Sequence, residues 1–297
     1  MLEEALLFNS QHLQKVDTKG FGVESDGLYI YRDEKNHETL SGNKIRKLYG
    51  SIHLILKNNV KNIVTIGGNY SNYLHACSFL PELLDIHLIL IVKGHRPKSF
   101  GYTLRELEKK NIELHFISHE ELKANQDSII KTFLAQNTSS VFIPEGGNIA
   151  NADEGFIPLI SNHFNQFDKI CVGVGTGATY RSILQHKSLH TNVHGYSAVK
   201  DNSLFGKICF DYTFGGFGKM TDELFDFVIQ FYETNHILLD PVYTSKMMYG
   251  ILSDFKKGIH QPDENIVAIH TGGLQGWHGI VERNPKYKII LNYLKPN

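Results

Sequence analysis

The sequence predicts an α/β protein of two domains, each a largely parallel twisted sheet flanked by helices. Three observations carry that expectation. Apolar strand-like runs alternate with helix-like runs in two separate regions of the chain. A polar, glycine-bearing stretch beginning Glu145-Gly146-Gly147-Asn148 interrupts the alternation and reads as a crossover between domains. Four predicted strands run into loops that contain glycine, at the ends where parallel sheets bind ligands.

In chain order, Leu28–Tyr31 reads as an early strand between Asp26-Gly27 and Asp33-Glu34. The stretch Leu40-Ser41-Gly42-Asn43-Lys44-Ile45-Arg46-Lys47-Leu48 follows. Its apolar residues continue at helical spacing through Ile52, Ile55 and Leu56, so a helix starts here, with Asn43 as its cap. Lys44 then lies in the first turn, where the positive end of the helix dipole lowers an ammonium pKa and suits it to Schiff-base chemistry. The competing reading is a solvated basic helix start, since Arg46 and Lys47 follow.

Strands are then predicted at 62–66, 86–92, 112–117 and 141–143, with helices at 71–79, 102–110 and 120–134. The second region has strands at 169–174, 192–198 and 266–270, and helices at 178–185, 222–232 and 244–255. The predicted division is residues 1–47 with 149–297 as the larger domain and 48–148 as the smaller. Two such domains predict a ligand cleft between them, lined by loops at the carboxyl ends of the strands.

Composition narrows the function. The 297 residues carry 30 basic and 31 acidic side chains, a net charge of -1, which leaves no electrostatic footprint for nucleic acid. The three cysteines, Cys77, Cys171 and Cys209, lie far apart without metal-ligand spacing, which predicts a reduced, cytoplasmic setting and no metal site. Apolar runs such as Ile86–Val92 are too short to cross a bilayer, and acidic Met1-Leu2-Glu3-Glu4 does not read as a signal peptide. A small molecule is the expected partner.

The glycine loops are Gly67-Gly68-Asn69-Tyr70-Ser71-Asn72, Glu145-Gly146-Gly147-Asn148, Gly175-Thr176-Gly177-Ala178-Thr179 and His270-Thr271-Gly272-Gly273. The third is the best phosphate cradle: small residues and two hydroxyls between a strand and a helix start. It lacks the Gly-Lys-Ser/Thr ending of a Walker loop and the spacing of a dinucleotide fingerprint. Taken alone, it reads rather as a tight strand-to-helix turn.

Together these segments resemble the pyridoxal 5'-phosphate (PLP) enzymes that include 1-aminocyclopropane-1-carboxylate (ACC) deaminase and D-cysteine desulfhydrase, on the fold of the tryptophan synthase β subunit. The likeness runs from about Leu40 to Gly279. Ser41-Gly42-Asn43-Lys44-Ile45-Arg46-Lys47 is similar to the family's Gly-Gly-Asn-Lys-x-Arg-Lys segment, and Gly67 to Asn72 to its Gly-Gly-x-x-Ser-Asn loop. Gly175–Thr179 resembles its phosphate loop, and 270–273 its late glycine loop. Asp240-Pro241-Val242-Tyr243-Thr244-Ser245-Lys246 is similar to its Asp-Pro-Val-Tyr-x-Gly-Lys segment.

The resemblance implies that PLP lies in the interdomain cleft, carried by Lys44, with its phosphate on Gly175, Thr176, Gly177, Ala178 and Thr179. Asn72 would bind the phenolic oxygen, and Thr244 with Thr271 the pyridine side. Ser71 would bind the substrate carboxylate with Asn72, Tyr73 and Phe217 nearby, and Tyr243 would assist with its phenol. Without the family, Ser71 reads as a helix cap and Tyr243 as a packed tyrosine. A homodimer is also implied.

The chain departs from the pattern at Ser41 and Ser245, where glycine is usual, at Tyr73, and at Phe217, which replaces a substrate-facing tyrosine. ACC deaminases have glutamate at the Thr244 position and leucine at the Thr271 position; desulfhydrase-type members have hydroxyl residues. A hydroxyl on the pyridine nitrogen gives a weaker electron sink than a carboxylate. That favours β-elimination of D-cysteine to pyruvate, ammonia and sulfide. ACC deamination to 2-oxobutyrate is the alternative, and a non-catalytic small-ligand-binding protein on the same fold the alternative of another class.

Overall fold

The computed structural model describes residues 7, 9–37, 40–110, 112–147, 153–161, 163–200 and 206–294. In chain order the regular elements begin β1 (Leu13–Lys15), β2 (Leu28–Tyr31), α1 (Asn43–Lys57), β3 (Asn62–Gly68), α2 (Asn72–Cys77), α3 (Leu80–Leu84) and β4 (His87–Lys93). Then come α4 (Tyr102–Lys109), β5 (Glu113–Ile117), α5 (His119–Gln136), β6 (Ser140–Ile143), α6 (Ile157–Ile160) and β7 (Lys169–Val174). The chain continues through α7 (Ala178–His186), β8 (Asn192–Ser197), β9 (Ile208–Cys209), α8 (Asp222–Asn235), α9 (Thr244–Lys256), β10 (Ile266–Ile269) and α10 (Gly276–Arg283).

Two compact units result, Met1–Asn43 with Phe156–Asn297, and Lys44–Gly155. The divisions fall at 43/44 and 155/156, against sequence expectations of 47/48 and 148/149. Lys44 is thereby the first residue of the smaller unit, while Asn43 closes the first segment of the larger one.

In the larger unit the sheet order is β1-β2-β10-β7-β8-β9, antiparallel only between β1 and β2. Residue alternation along the strands sorts the core into two layers. Leu28, Ile30, Cys171, Ile266 and Ala268 pack with Val228, Phe231, Met247, Ile251 and Trp277 of the flanking helices. Ile170, Val172, Val174, Val267 and Ile269 pack on the opposite face with Leu159, Ile160 and Ile183. Central strands buried on both faces are the mark of a helix-covered parallel sheet.

The smaller unit has the all-parallel order β5-β4-β3-β6. Val64, Ile66, Ile89 and Ile91 form its core with Leu122 and Ile130 of α5. The helix expected at 71–79 corresponds to α2, and a separate, unexpected α3 follows it with Pro81 in its first turn. A ring at that position blocks a continuous helix but suits a new start. Both β1 and α10 were absent from the sequence expectation: β1 is three residues long, and α10 offers chiefly Trp277 and Ile280 to the core.

The strand orders explain where the glycine loops fall. In the larger unit β7 and β10 are neighbours, and in the smaller β3 and β6 are neighbours. From β3 the chain continues to β4 on one side while β6 pairs on the other; from β7 it continues to β8 while β10 pairs on the other. Each unit therefore sets two glycine loops side by side at a point where strand order reverses, which is where ligands bind in open parallel sheets. No helix among the described residues is long and apolar enough to cross a membrane.

Candidate active site

The larger unit holds the phosphate-type loop. Gly175 leaves β7, Gly177 adopts φ +78° at the cap position of α7, and Thr176 is exposed. The amides of the first helical turn have no intrahelical partner, and the dipole there favours an anion. Thr179, inside this turn and 5% exposed, accepts a hydrogen bond from Asn43 Nδ2 at 2.9 Å. That bond leaves the Thr179 hydroxyl proton for an acceptor. Asn43 also donates its backbone N–H to Thr271 O at 3.2 Å. Expected as a helix cap, Asn43 is instead the first residue of α1 and ties the 175–179 loop to the loop after β10.

The neighbouring glycine is fixed by the same approach. Gly42 has φ +69°, and a Cβ there would lie 2.2 Å from Thr271 O. Only glycine lets the two backbones meet. Thr271 is 3% exposed, and Gly272 and Gly273 beyond it are left-handed. His270 is held by an Nε2 contact to Leu238 O at 2.9 Å while its Nδ1 accepts from Gly272 N at 3.2 Å, which sets the ring as an Nε2–H tautomer.

Tyr243 and Thr244 are presented by a turn that Asp240 organises. The buried Asp240 carboxylate accepts from the amides of Val242 at 3.0 Å, Tyr243 at 2.9 Å and Thr244 at 2.7 Å. It caps the start of α9 from a distance no local cap residue covers. Tyr243 lies along the end of β7: a Cβ on Gly173 would come 2.9 Å from Tyr243 Cβ, and one on Gly175 2.9 Å from its Oη. The phenol thus borders the phosphate-type loop. Phe217, 59% exposed, meets the Tyr243 ring edge-on with centroids 6.1 Å apart.

Thr244 supplies the most informative atom. Its side chain is buried, 1% exposed, and Oγ1 has no hydrogen-bond partner; the same holds for Ser245 Oγ. An unmet buried hydroxyl costs about 1–3 kcal/mol, so a site that keeps one is shaped for a partner. Lys246, next in the helix, is fully buried, and burial lowers its pKa to about 8 against the opposing pull of Asp240.

The smaller unit holds Lys44, Ser71, Asn72 and Tyr73. Lys44 is half-buried at the second position of α1, as the sequence predicted. The basic stretch around it is not a solvated face: Arg46 is fully buried and donates to Gly155 O at 3.1 Å. Ser71 caps α2, its Oγ accepting from Leu74 N at 3.2 Å, and Asn72 opens the helix. Tyr73 corrects its sequence assignment as a substrate contact. It is 4% exposed, its hydroxyl pairs with Thr65 Oγ1 at 3.1 Å, and burial pushes its pKa well up. It braces the loop from within. Asn148, at the end of the second glycine loop, lies outside the described residues.

The structure thus groups Gly175 to Thr179, Thr271, Tyr243, Thr244 and Phe217 in one unit, and Lys44, Ser71 and Asn72 in the other. Asp240 and Lys246 carried no assigned role in the sequence, and Asn43 only that of a helix cap. The Asp-Pro pattern was the available signal for Asp240, since Asp before Pro commonly organises a turn through its own carboxylate.

The paired sheets and their reversal-point loops define an α/β protein of the tryptophan synthase β-subunit type. A solved structure described as an ACC deaminase homologue superposes over 93% of this chain and 93% of its own, with a TM-score of 0.75 at 23% identity. The relatives agree along most of the sequence. A bifunctional D-cysteine desulfhydrase/ACC deaminase of Arabidopsis thaliana is 27% identical over 86% of this chain and 74% of its own. A Pyrococcus abyssi protein provisionally named an ACC deaminase is 26% identical over 90% of this chain and 89% of its own. The resemblance read from the motifs therefore holds: the chain is a relative of the ACC deaminases and D-cysteine desulfhydrases. No family model matches it.

The residues fit PLP. An anion cradle at a helix start, a phenol bordering that cradle and an unmet hydroxyl for a ring nitrogen lie within one unit.

Proposed function

We propose that this protein is a PLP-dependent lyase acting on a small amino acid, with D-cysteine as the preferred substrate. The observation that carries the proposal is the buried, unpartnered hydroxyl of Thr244. It suits a pyridine nitrogen, and as a neutral group it does not hold that nitrogen protonated. Bound PLP supplies an electron sink for the bond broken at Cα.

Around it the chain's own residues divide the work. Lys44 would hold the cofactor and serve as the base at the substrate's Cα. The amides of the 175–179 loop and the Thr179 hydroxyl hold phosphate, while Asn72 binds the phenolic oxygen. Ser71, whose oxygen already accepts from Leu74, orients the substrate carboxylate with its remaining proton. Tyr243 would move a proton to the departing sulfur, and Phe217 lies edge-on to its ring. Net, D-cysteine and water give pyruvate, ammonia and hydrogen sulfide. The names of the relatives support ACC deamination as the second reading.

The test supplies D-cysteine, L-cysteine and ACC to PLP-loaded protein. Sulfide from D-cysteine without 2-oxobutyrate from ACC supports the proposal, and the reverse pattern replaces it with ACC deaminase. No product from any amino acid leaves a ligand-binding protein. Thr244→Glu with Thr271→Leu should move activity toward ACC. The reading also implies a homodimer, which light scattering measures.

A further inference from the structure

A fully buried lysine needs an explanation, and Lys246 has one in its two acceptors. Nζ donates to Thr213 O at 2.8 Å and to Gly216 O at 2.6 Å, both carbonyls of one short loop. That loop has little else to define it. Phe214, Gly215, Gly216 and Gly218 all have positive φ, at 49°, 89°, 108° and 63°. Such a run satisfies neither helix nor sheet hydrogen bonding, so the loop depends on bonds from outside. Its internal bonds are Gly216 N to Thr213 O at 2.9 Å and Lys219 N to Gly216 O at 3.2 Å. Arg283 reaches Gly218 O at 3.4 Å, and Phe214 packs on Tyr249 of α9 with centroids 4.9 Å apart.

The loop's outward residue is Phe217, more than half exposed, whose one aromatic neighbour among the described residues is Tyr243. An exposed ring has no surrounding core to hold it; its position follows the backbone that carries it. Lys246 grips that backbone on both sides of the turn, at 213 and 216, from the helix that begins with Thr244. The first turn of α9 therefore sets three things together: the unmet Thr244 hydroxyl, the adjacent Tyr243 phenol and, through Lys246, the aromatic roof over that phenol.

We infer that Lys246 is a positioning residue for substrate selection, clamping the 213–218 loop so that Phe217 stays beside Tyr243. The inference rests on the reading that Tyr243 and Phe217 face the substrate. A fixed apolar edge at that point favours a compact side chain with an uncharged end, such as a thiol, over a charged or branched one. Lys246 itself touches neither cofactor nor substrate.

Lys246→Met keeps the length and removes the donor. In cofactor-free protein, amide exchange at 214–218 should rise roughly tenfold or more while β7 and α7 stay protected. PLP uptake should be unchanged, KM for the best amino acid should rise roughly tenfold, and kcat should change little. In a Phe217→Ala background the KM effect of Lys246→Met should vanish, because the lysine acts through that ring. Unchanged exchange, or a KM effect that adds to that of Phe217→Ala, overturns the inference. If Lys246→Met does not fold, Phe217→Ala decides alone: at an exposed position it must raise KM without altering PLP uptake, and an unchanged KM overturns the inference. Failure of the PLP reading shows separately, as wild-type protein that takes up no PLP, and leaves the exchange result to decide the clamp.

Discussion

The two units use one device in opposite ways. Each brings two glycine loops together at a strand-order reversal, yet the polar atoms around those loops are treated differently. In the smaller unit the hydroxyls beside those loops are satisfied within the unit: Thr65 Oγ1 reaches Ile143 O at 2.6 Å and pairs with Tyr73, and Ser71 caps α2. In the larger unit Thr244 and Ser245 keep buried hydroxyls without partners, while glycines press their backbones against Tyr243 and Thr271. The contrast has two exceptions in the smaller unit, the Asn69 Oδ1 acceptor in the loop and Ser51 Oγ in α1, both also unmet. A self-satisfied loop is a support, whereas a loop with unmet buried hydroxyls is a receptor. On that ground the larger unit is the one whose loops await a partner, the role that the proposed function gives to a cofactor's ring and phosphate.

The contrast is broken or sharpened by substitution. The largest effect belongs to Lys44→Ala, which should abolish the visible absorbance of lysine-bound PLP. It should lower turnover by roughly a thousandfold or more. Its melting temperature without cofactor should hardly move, because the residue is half-exposed. A variant that retained the band would shift the assignment to another lysine. Next is a glycine from each unit. Gly42→Ala places a Cβ 2.2 Å from Thr271 O at φ +69° and should cost about 2–4 kcal/mol in urea unfolding. Gly68→Ala meets nothing within 4 Å and should stay within about 0.5 kcal/mol of wild type. Equal losses would remove the distinction between a receptor loop and a support.

Acid should act on the larger unit through His260. It is 1% exposed and takes Lys169 Nζ on Nδ1 at 2.8 Å, with Nε2 2.9 Å from the Tyr196 hydroxyl. Tyr196 and Tyr212 both donate to Asp254. Burial first, then Lys169 and His194, hold the imidazole pKa down to about 3 from 6.5, against the pull of Asp254. The unfolded chain therefore binds a proton that the folded one refuses between those values. This contribution is complete above pH 6.5 and is lost as pH falls toward 3, on the order of a few kcal/mol in all. Unfolding free energies from pH 7.5 to 4 should show that slope, and His260→Gln should flatten it.

How much of this the sequence disclosed differs by element. The β7 limits at Lys169–Val174 and the β2 limits at Leu28–Tyr31 match the expectation because both are apolar runs ended by Gly or Asp. Helix α3 was missed because the expected helix ends at Phe79 and the five residues Leu80–Leu84 are too few to show a helical period. In the site, motif residues were legible as a set, but their supports were not. Asn43 looked like a cap, Arg46 like a solvated charge and Tyr73 like a ligand contact; their partners Thr179, Gly155 and Thr65 are set by the fold rather than by local pattern. Burial of a charged or polar side chain is a tertiary fact, and one chain carries no local sign of it. Lys246 is the extreme case, a lysine between Ser245 and Met247 whose acceptors lie 33 and 30 residues away.

The finest test sets two threonines against each other. Thr65→Val in the smaller unit removes a donor to Ile143 O and a partner of Tyr73, leaving each one hydrogen bond short in the core. It should cost about 1–3 kcal/mol of stability with or without PLP. Thr244→Val in the larger unit removes no hydrogen bond within the protein and relieves a buried, unmet hydroxyl. Cofactor-free protein should therefore unfold no earlier than wild type, and by up to about 1 kcal/mol later. The sign reverses once PLP is added: the variant should bind it roughly five- to tenfold more weakly, the equivalent of one lost hydrogen bond of about 1–1.5 kcal/mol. Opposite signs in the two states identify a hydroxyl reserved for a ligand, since a structural hydroxyl lowers stability in both. If Thr244→Val destabilises the cofactor-free protein as Thr65→Val does, the larger unit is no more a receptor than the smaller, and the case for PLP at this turn fails with it.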